Sequence, residues 1–267
     1  MDWHLLGWLA VLLYAGAEAL SIASLLRPKA SGLAPAFLVA GLALQFVDLQ
    51  ARARVLGSVP YRTLAGSMSL FGWMLGVAYL ALLFRHRERS IGPFLIPFVL
   101  LFSAAGLLIP FEVSSPRPET QGTLFALHVT LAILGYAAFA LSFVLSLLYL
   151  VQSRQIRRAR TGLLFSQLPA LEAIGRLNRT AVSIGLSALF VSVLLGAAWA
   201  RQVWDGIGDA KLVWALFTLL LYGFLLWMDR RGWKGQRVAL LSIVGFGVVI
   251  FSYTFVNLYL SRAHTFR

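Results

Sequence analysis

Residues 124–152 read LFALHVTLAILGYAAFALSFVLSLLYLVQ, and only His128 among them can change charge near neutral pH. A run of this length exceeds the roughly 20 residues that cross a hydrocarbon core of about 30 Å. The rest of the chain has the same character. Of its 267 residues 60% are hydrophobic and 12% charged, with a mean hydropathy of +0.81. A soluble domain carries about 25% charged residues. Apolar runs of membrane-spanning length recur from end to end, so the expected fold is all-α. It is a polytopic integral membrane helical bundle, read as a single membrane domain over residues 1–267. The opening MDWHLLGW has no basic region before its apolar run, and reads as a first membrane helix instead of a removable signal.

Cysteine is absent, which excludes disulfides, thiolate catalysis, zinc–thiolate sites and iron–sulfur clusters. The net charge of +13 sits in short loops between apolar runs. Membrane orientation explains it better than nucleic acid does.

Eight spans are expected, at about 3–26, 33–49, 64–84, 92–110, 123–151, 180–200, 211–228 and 238–260, with prolines mostly at their ends. The loops after the odd-numbered spans hold 15 of the 23 basic residues, among them Arg85, Arg87, Arg154, Arg157, Arg230 and Arg231. The positive-inside bias puts that side in the cytoplasm and both termini outside. Residues 163–178, LLFSQLPALEAIGRLN, are too interrupted to span and read as a short helix on the cytoplasmic surface, or as a packed connector.

That topology gathers three of the four histidines at one face. His4 opens span one, His128 lies near the outer end of span five, and His264 lies just beyond the outer end of span eight, while His86 falls in the cytoplasmic RHRER. His128 and His264 are the natural pair. Two imidazoles from separate helices can be axial ligands to haem iron, part of another metal site, or unrelated interfacial residues. Haem asks least of the protein, because the porphyrin supplies four equatorial nitrogens.

Other polar and aromatic residues are candidates on position alone. AWARQVWDGIGDAKLVWALF carries Trp199, Trp204 and Trp214, which suit either a headgroup-level belt or a surface against a flat macrocycle. QARARVLGSVPYRT places Arg52, Arg54 and Arg62 in an outer loop, against the positive-inside grain. Arginines there can meet carboxylates such as haem propionates, or lipid headgroups, or can simply be tolerated in a short loop. Glu18, deep in LLYAGAEALSIASLL, is an intramembrane acid and hence a functional candidate. Gln45 and Asp48 read as interhelical or interfacial polar contacts.

The segment LHVTLAILGYAAFALSFVLSLLYL resembles the span bearing an outer-face histidine in the cytochrome c assembly family, the CcsA, CcmC and HemX-type membrane proteins. GDAKLVWALFTLLLYGFLLW resembles the end of that family's tryptophan-rich segment, and RVALLSIVGFGVVIFSYTFVNLYLSRAH its closing span with a second outer-face histidine. Weaker matches are LPALEAIGRLN and VPYRTLAGSMSLFGWMLGVAYL, so the resemblance covers about residues 55–264. Ala210 stands where the family's WDPKE-type turn has proline, and Trp227 where long members carry a further histidine. These departures fit the short, eight-span branch.

The resemblance implies non-covalent b-type haem at the outer face of a bacterial inner membrane, with His128 and His264 as axial ligands. Trp199 and Trp204 would lie against the macrocycle, and Arg52 and Arg54 are candidates for its propionates. The expected role is to hold and present haem to cytochrome c assembly proteins or apocytochrome c, as a chaperone or subunit and not an independent enzyme. The alternatives are a HemX-type regulator acting on glutamyl-tRNA reductase through Arg154–Arg160 and the 163–178 helix, or a transporter using Glu18.

Overall fold

In hydrocarbon no water satisfies the backbone, so apolar runs of spanning length must pair their own N–H and C=O groups as helices. The computed structural model describes residues 3–26, 32–56, 63–110, 122–159, 167–203 and 210–251. Among them are eight helices, in chain order α1 Trp3–Leu26, α2 Ala34–Leu56, α3 Leu64–His86, α4 Gly92–Leu108, α5 Thr123–Arg157, α6 Leu171–Val203, α7 Ala210–Arg230 and α8 Gly235–Phe251. No strand occurs among the described residues. Six helices are long and apolar enough to cross a membrane, and α4 and α8 are apolar helices of 17 residues. The protein is a polytopic helical membrane protein, and its helices match the eight expected spans one for one.

Two boundaries differ from the sequence expectation. Helix α2 runs on to Leu56, so Arg52 and Arg54 lie on a helix and not in a loop. The tail of the expected 163–178 surface helix, from Leu171 onward, is continuous with the next span as the single helix α6. Residues 160–166 lie outside the described residues.

Where the sequence reads as one membrane domain, the chain divides into two compact units, residues 1–117 with 166–169, and 118–165 with 170–267. The first packs α1 on α2 and α4, and α3 on α4 and α2. Helices α3 and α4 approach closely along small residues. A Cβ on Gly106 would lie 2.7 Å from the Ser69 amide nitrogen, and one on Gly72 would lie 2.7 Å from Ser103 Oγ. Small residues bring backbones together in membranes, where dispersion and interhelical hydrogen bonds drive packing.

Polar groups tie the same unit together. Gln45 accepts from Tyr14 Oη at 2.7 Å and from Ser103 Oγ at 3.2 Å, and donates to the Ser69 carbonyl at 3.0 Å. Gln45 is thus an interhelical contact, as its sequence position suggests. One turn on, Asp48 and Arg52 form an i,i+4 ion pair, with Nε–Oδ1 at 3.1 Å and Nη2–Oδ2 at 3.0 Å, both side chains almost wholly buried. Arg52 Nη1 also donates to the Gly106 carbonyl at 3.1 Å. The residue four on from Gly106 is Pro110, which has no N–H to give. Arg52 supplies the bond that proline withholds, at a helix end whose carbonyls need partners.

The second unit is built on α5, which packs against α6 and α8, while α7 bridges α6 and α8. Gly135 and Gly185 mark a close α5–α6 approach, where a Cβ on Gly185 would fall 2.6 Å from the Phe139 ring. Phe139 in turn stacks on Tyr222 of α7, with centroids 3.7 Å apart. Ser142 donates to Asn178 at 2.6 Å and Asn178 to Ser242 at 3.3 Å, linking α5, α6 and α8.

Candidate functional site

His128 is the sixth residue of α5, and the opposing face of α6 is shaped to it. Ser192, Gly196 and Trp199 are spaced four and three apart, so they share one face of α6. His128 Nδ1 lies 2.7 Å from the Ser192 carbonyl oxygen and 3.1 Å from Ser192 Oγ. Ser192 Oγ donates to the His128 carbonyl at 2.8 Å. At Gly196 a Cβ would fall 2.6 Å from both Nδ1 and Cε1 of the imidazole, so glycine makes the room that the ring occupies. Trp199 is buried, with its ring within 13° of parallel to the imidazole at 6.5 Å, and Phe125 packs on Trp199 at 5.0 Å.

This arrangement sets the ring's proton. The Ser192 carbonyl can only accept, and the hydroxyl's one proton is used on the His128 carbonyl. Both contacts at Nδ1 are therefore with acceptors, so in the neutral ring the proton sits on Nδ1 and the lone pair on Nε2. An imidazole whose Nδ1–H is held by a carbonyl is the usual form of a metal-ligating histidine. No group of three or more His, Cys, Asp or Glu side chains suited to a metal ion occurs among the described residues. The donor chemistry at His128 fits haem, which asks for an axial nitrogen at each face and brings the rest.

The other candidates fall as follows. Trp199 joins His128, whereas Trp204 and His264 lie outside the described residues. Arg52 and Arg54 belong to the first unit, Arg52 buried against Asp48 and Arg54 exposed on α2. The carboxylate beside Arg52 is thus one of the chain's own. Glu18 is half-buried on α1, and its Oε2 is without a hydrogen-bond partner among the described residues.

Residues 61–264 match the family model described as cytochrome C assembly protein. The chain belongs to the cytochrome c assembly protein family. Its relatives include proteins named cytochrome c biogenesis protein CcsA. That of Chlamydomonas reinhardtii is 29% identical over 220 residues, covering 79% of this chain and 61% of the relative. That of Trieres chinensis is 27% identical over 263 residues, covering 86% and 84%, and that of Prochlorococcus marinus is 29% identical over 237 residues, covering 79% and 77%. The chain therefore spans under two thirds of the Chlamydomonas relative but more than three quarters of the other two. The matched segment contains His128, Ser192, Gly196, Trp199 and His264.

Sequence reasoning missed Ser192 and Gly196. A serine and a glycine within a span are ordinary helix-packing residues. The usable signal is their register with Trp199, which places all three on one face of α6.

Proposed function

We propose that this chain holds haem between His128 and His264 at the outer face of a bacterial inner membrane, with both termini on that side. From there it presents haem to the cytochrome c assembly machinery. The observation that carries the reading is the imidazole of His128, whose Nδ1 lies 2.7 Å from the Ser192 carbonyl oxygen. Nε2 would be the ligating atom, and His264 the second ligand. When bound, haem supplies the iron–porphyrin group that c-type cytochromes carry covalently. The chain's own residues orient the ligand, through Ser192 and Gly196, and surround it with apolar surface, through Phe125 and Trp199. Attachment uses thiols of the acceptor apocytochrome, and this chain has no thiol nucleophile of its own. It acts as a chaperone or subunit accordingly.

The family membership and the names of the relatives support this role. They lend nothing to the regulatory alternative with glutamyl-tRNA reductase. The test is deletion of the gene in its host, followed by haem staining of c-type cytochromes. Loss of the stained bands, restored by the wild-type gene but not by His128→Ala at equal membrane abundance, is expected. Unchanged cytochromes in the deletion strain would overturn the proposal.

A further inference from the structure

The reciprocal lock between His128 and α6 extends the reading above and rests on it. Ser192 contributes two groups with distinct duties. Its carbonyl holds Nδ1–H at 2.7 Å, while its hydroxyl donates 2.8 Å to the His128 carbonyl and so fastens the backbone of α5 to α6 at the same level. Gly196 lets the ring reach that carbonyl, since any Cβ there would stand 2.6 Å from Nδ1. Contacts that short cannot be kept, so the ring would have to move off the carbonyl.

Trp199 completes the set, lying parallel to the imidazole within 13°.

We propose that Ser192, Gly196 and Trp199 are positioning residues for His128. They form a seat on α6 that fixes its tautomer and ring orientation, so that Nε2 is presented ready to bind iron. None of the three touches iron. Partners of this kind typically change metal affinity by about 10- to 100-fold when removed.

The experiment uses full-length protein in detergent, with ¹⁵N-labelled histidine, and compares wild type with Ser192→Ala, Ser192→Thr and Gly196→Ala. His128→Gln assigns the resonances, and Gly223→Ala serves as control, because a Cβ there meets nothing within 4 Å. Without haem, wild type should show His128 protonated at Nδ1. Gly196→Ala should show a shift toward protonation at Nε2 or exchange between the two forms. Haem titration by absorbance should then give an affinity about 10- to 100-fold weaker in Gly196→Ala. Ser192→Ala should fall between Gly196→Ala and wild type, with Ser192→Thr restoring most of the loss and Gly223→Ala unchanged.

Haem binding that depends on His128, with tautomer and affinity unaltered in both Ser192→Ala and Gly196→Ala, overturns the seat and leaves the proposed function standing. Wild type that takes up haem no better than His128→Gln overturns the proposed function, and the seat with it. Should Gly196→Ala fail to fold, Ser192→Ala and its threonine rescue decide alone.

Discussion

The two units each hold a strongly polar side chain between helices, Arg52 buried and His128 partly exposed, and they treat it differently. In the first, Arg52 is closed upon the protein, with Asp48 taking Nε and Nη2 and the Gly106 carbonyl taking Nη1. The charge of each partner is answered within one unit. In the second, His128 commits Nδ1 to Ser192, and the proton's placement leaves the lone pair on Nε2. On the proposed function, what separates them is whether the surrounding groups answer the side chain or prepare one atom of it.

Breaking the first arrangement should give the largest effect. Arg52→Met leaves the buried Asp48 carboxylate and the Gly106 carbonyl unanswered, and removing one partner of a buried pair costs about 3–5 kcal/mol. Thermal unfolding in detergent should show that loss, and the double variant Asp48→Leu with Arg52→Met should recover much of it. Haem uptake per folded molecule should stay as in wild type. A fall in uptake at full stability would assign Arg52 to haem after all and erase the contrast between the units.

An intermediate effect is expected at the α5–α6 crossing beneath the histidine. Gly185→Ala drives a methyl to 2.6 Å from the Phe139 ring and 3.1 Å from the Gly135 carbonyl, overpacking that costs about 1–3 kcal/mol. Gly223→Ala, with open space around it, should instead stabilise by up to about 1 kcal/mol. Equal unfolding midpoints for the two would show that the crossing is not close-packed. The smallest change belongs to the exposed Glu172–Arg176 pair at 2.8 Å, where Arg176→Ala should cost under about 0.5 kcal/mol. A larger loss, read by the same melts, would mean the start of α6 is held by that pair.

Most of the fold is legible in the sequence, because apolar runs of spanning length leave the backbone one solution. The extension of α2 is not, since Asp48, Arg52 and Arg54 look like the end of a span. The i,i+4 ion pair and the need of Gly106 for a donor become visible only once α2 and α4 are placed together. The same holds for α6. Asn178 closes the segment read as a surface helix or packed connector, yet it is buried between Ser142 and Ser242. At the site, His128 and Trp199 stand out by residue type. Ser192 and Gly196 do not, because their work is done through a carbonyl and through the absence of a side chain, which residue identity does not announce.

On the proposed function, His128 is prepared as a ligand for haem iron. An absorption spectrum of detergent-purified protein, oxidised and dithionite-reduced after haem reconstitution, tests it most directly beside His128→Ala and His264→Ala. Wild type should give a low-spin, bis-imidazole spectrum that weakens or turns high-spin in each variant. A well-folded wild-type protein with no haem spectrum, or one unchanged by His128→Ala, would contradict it.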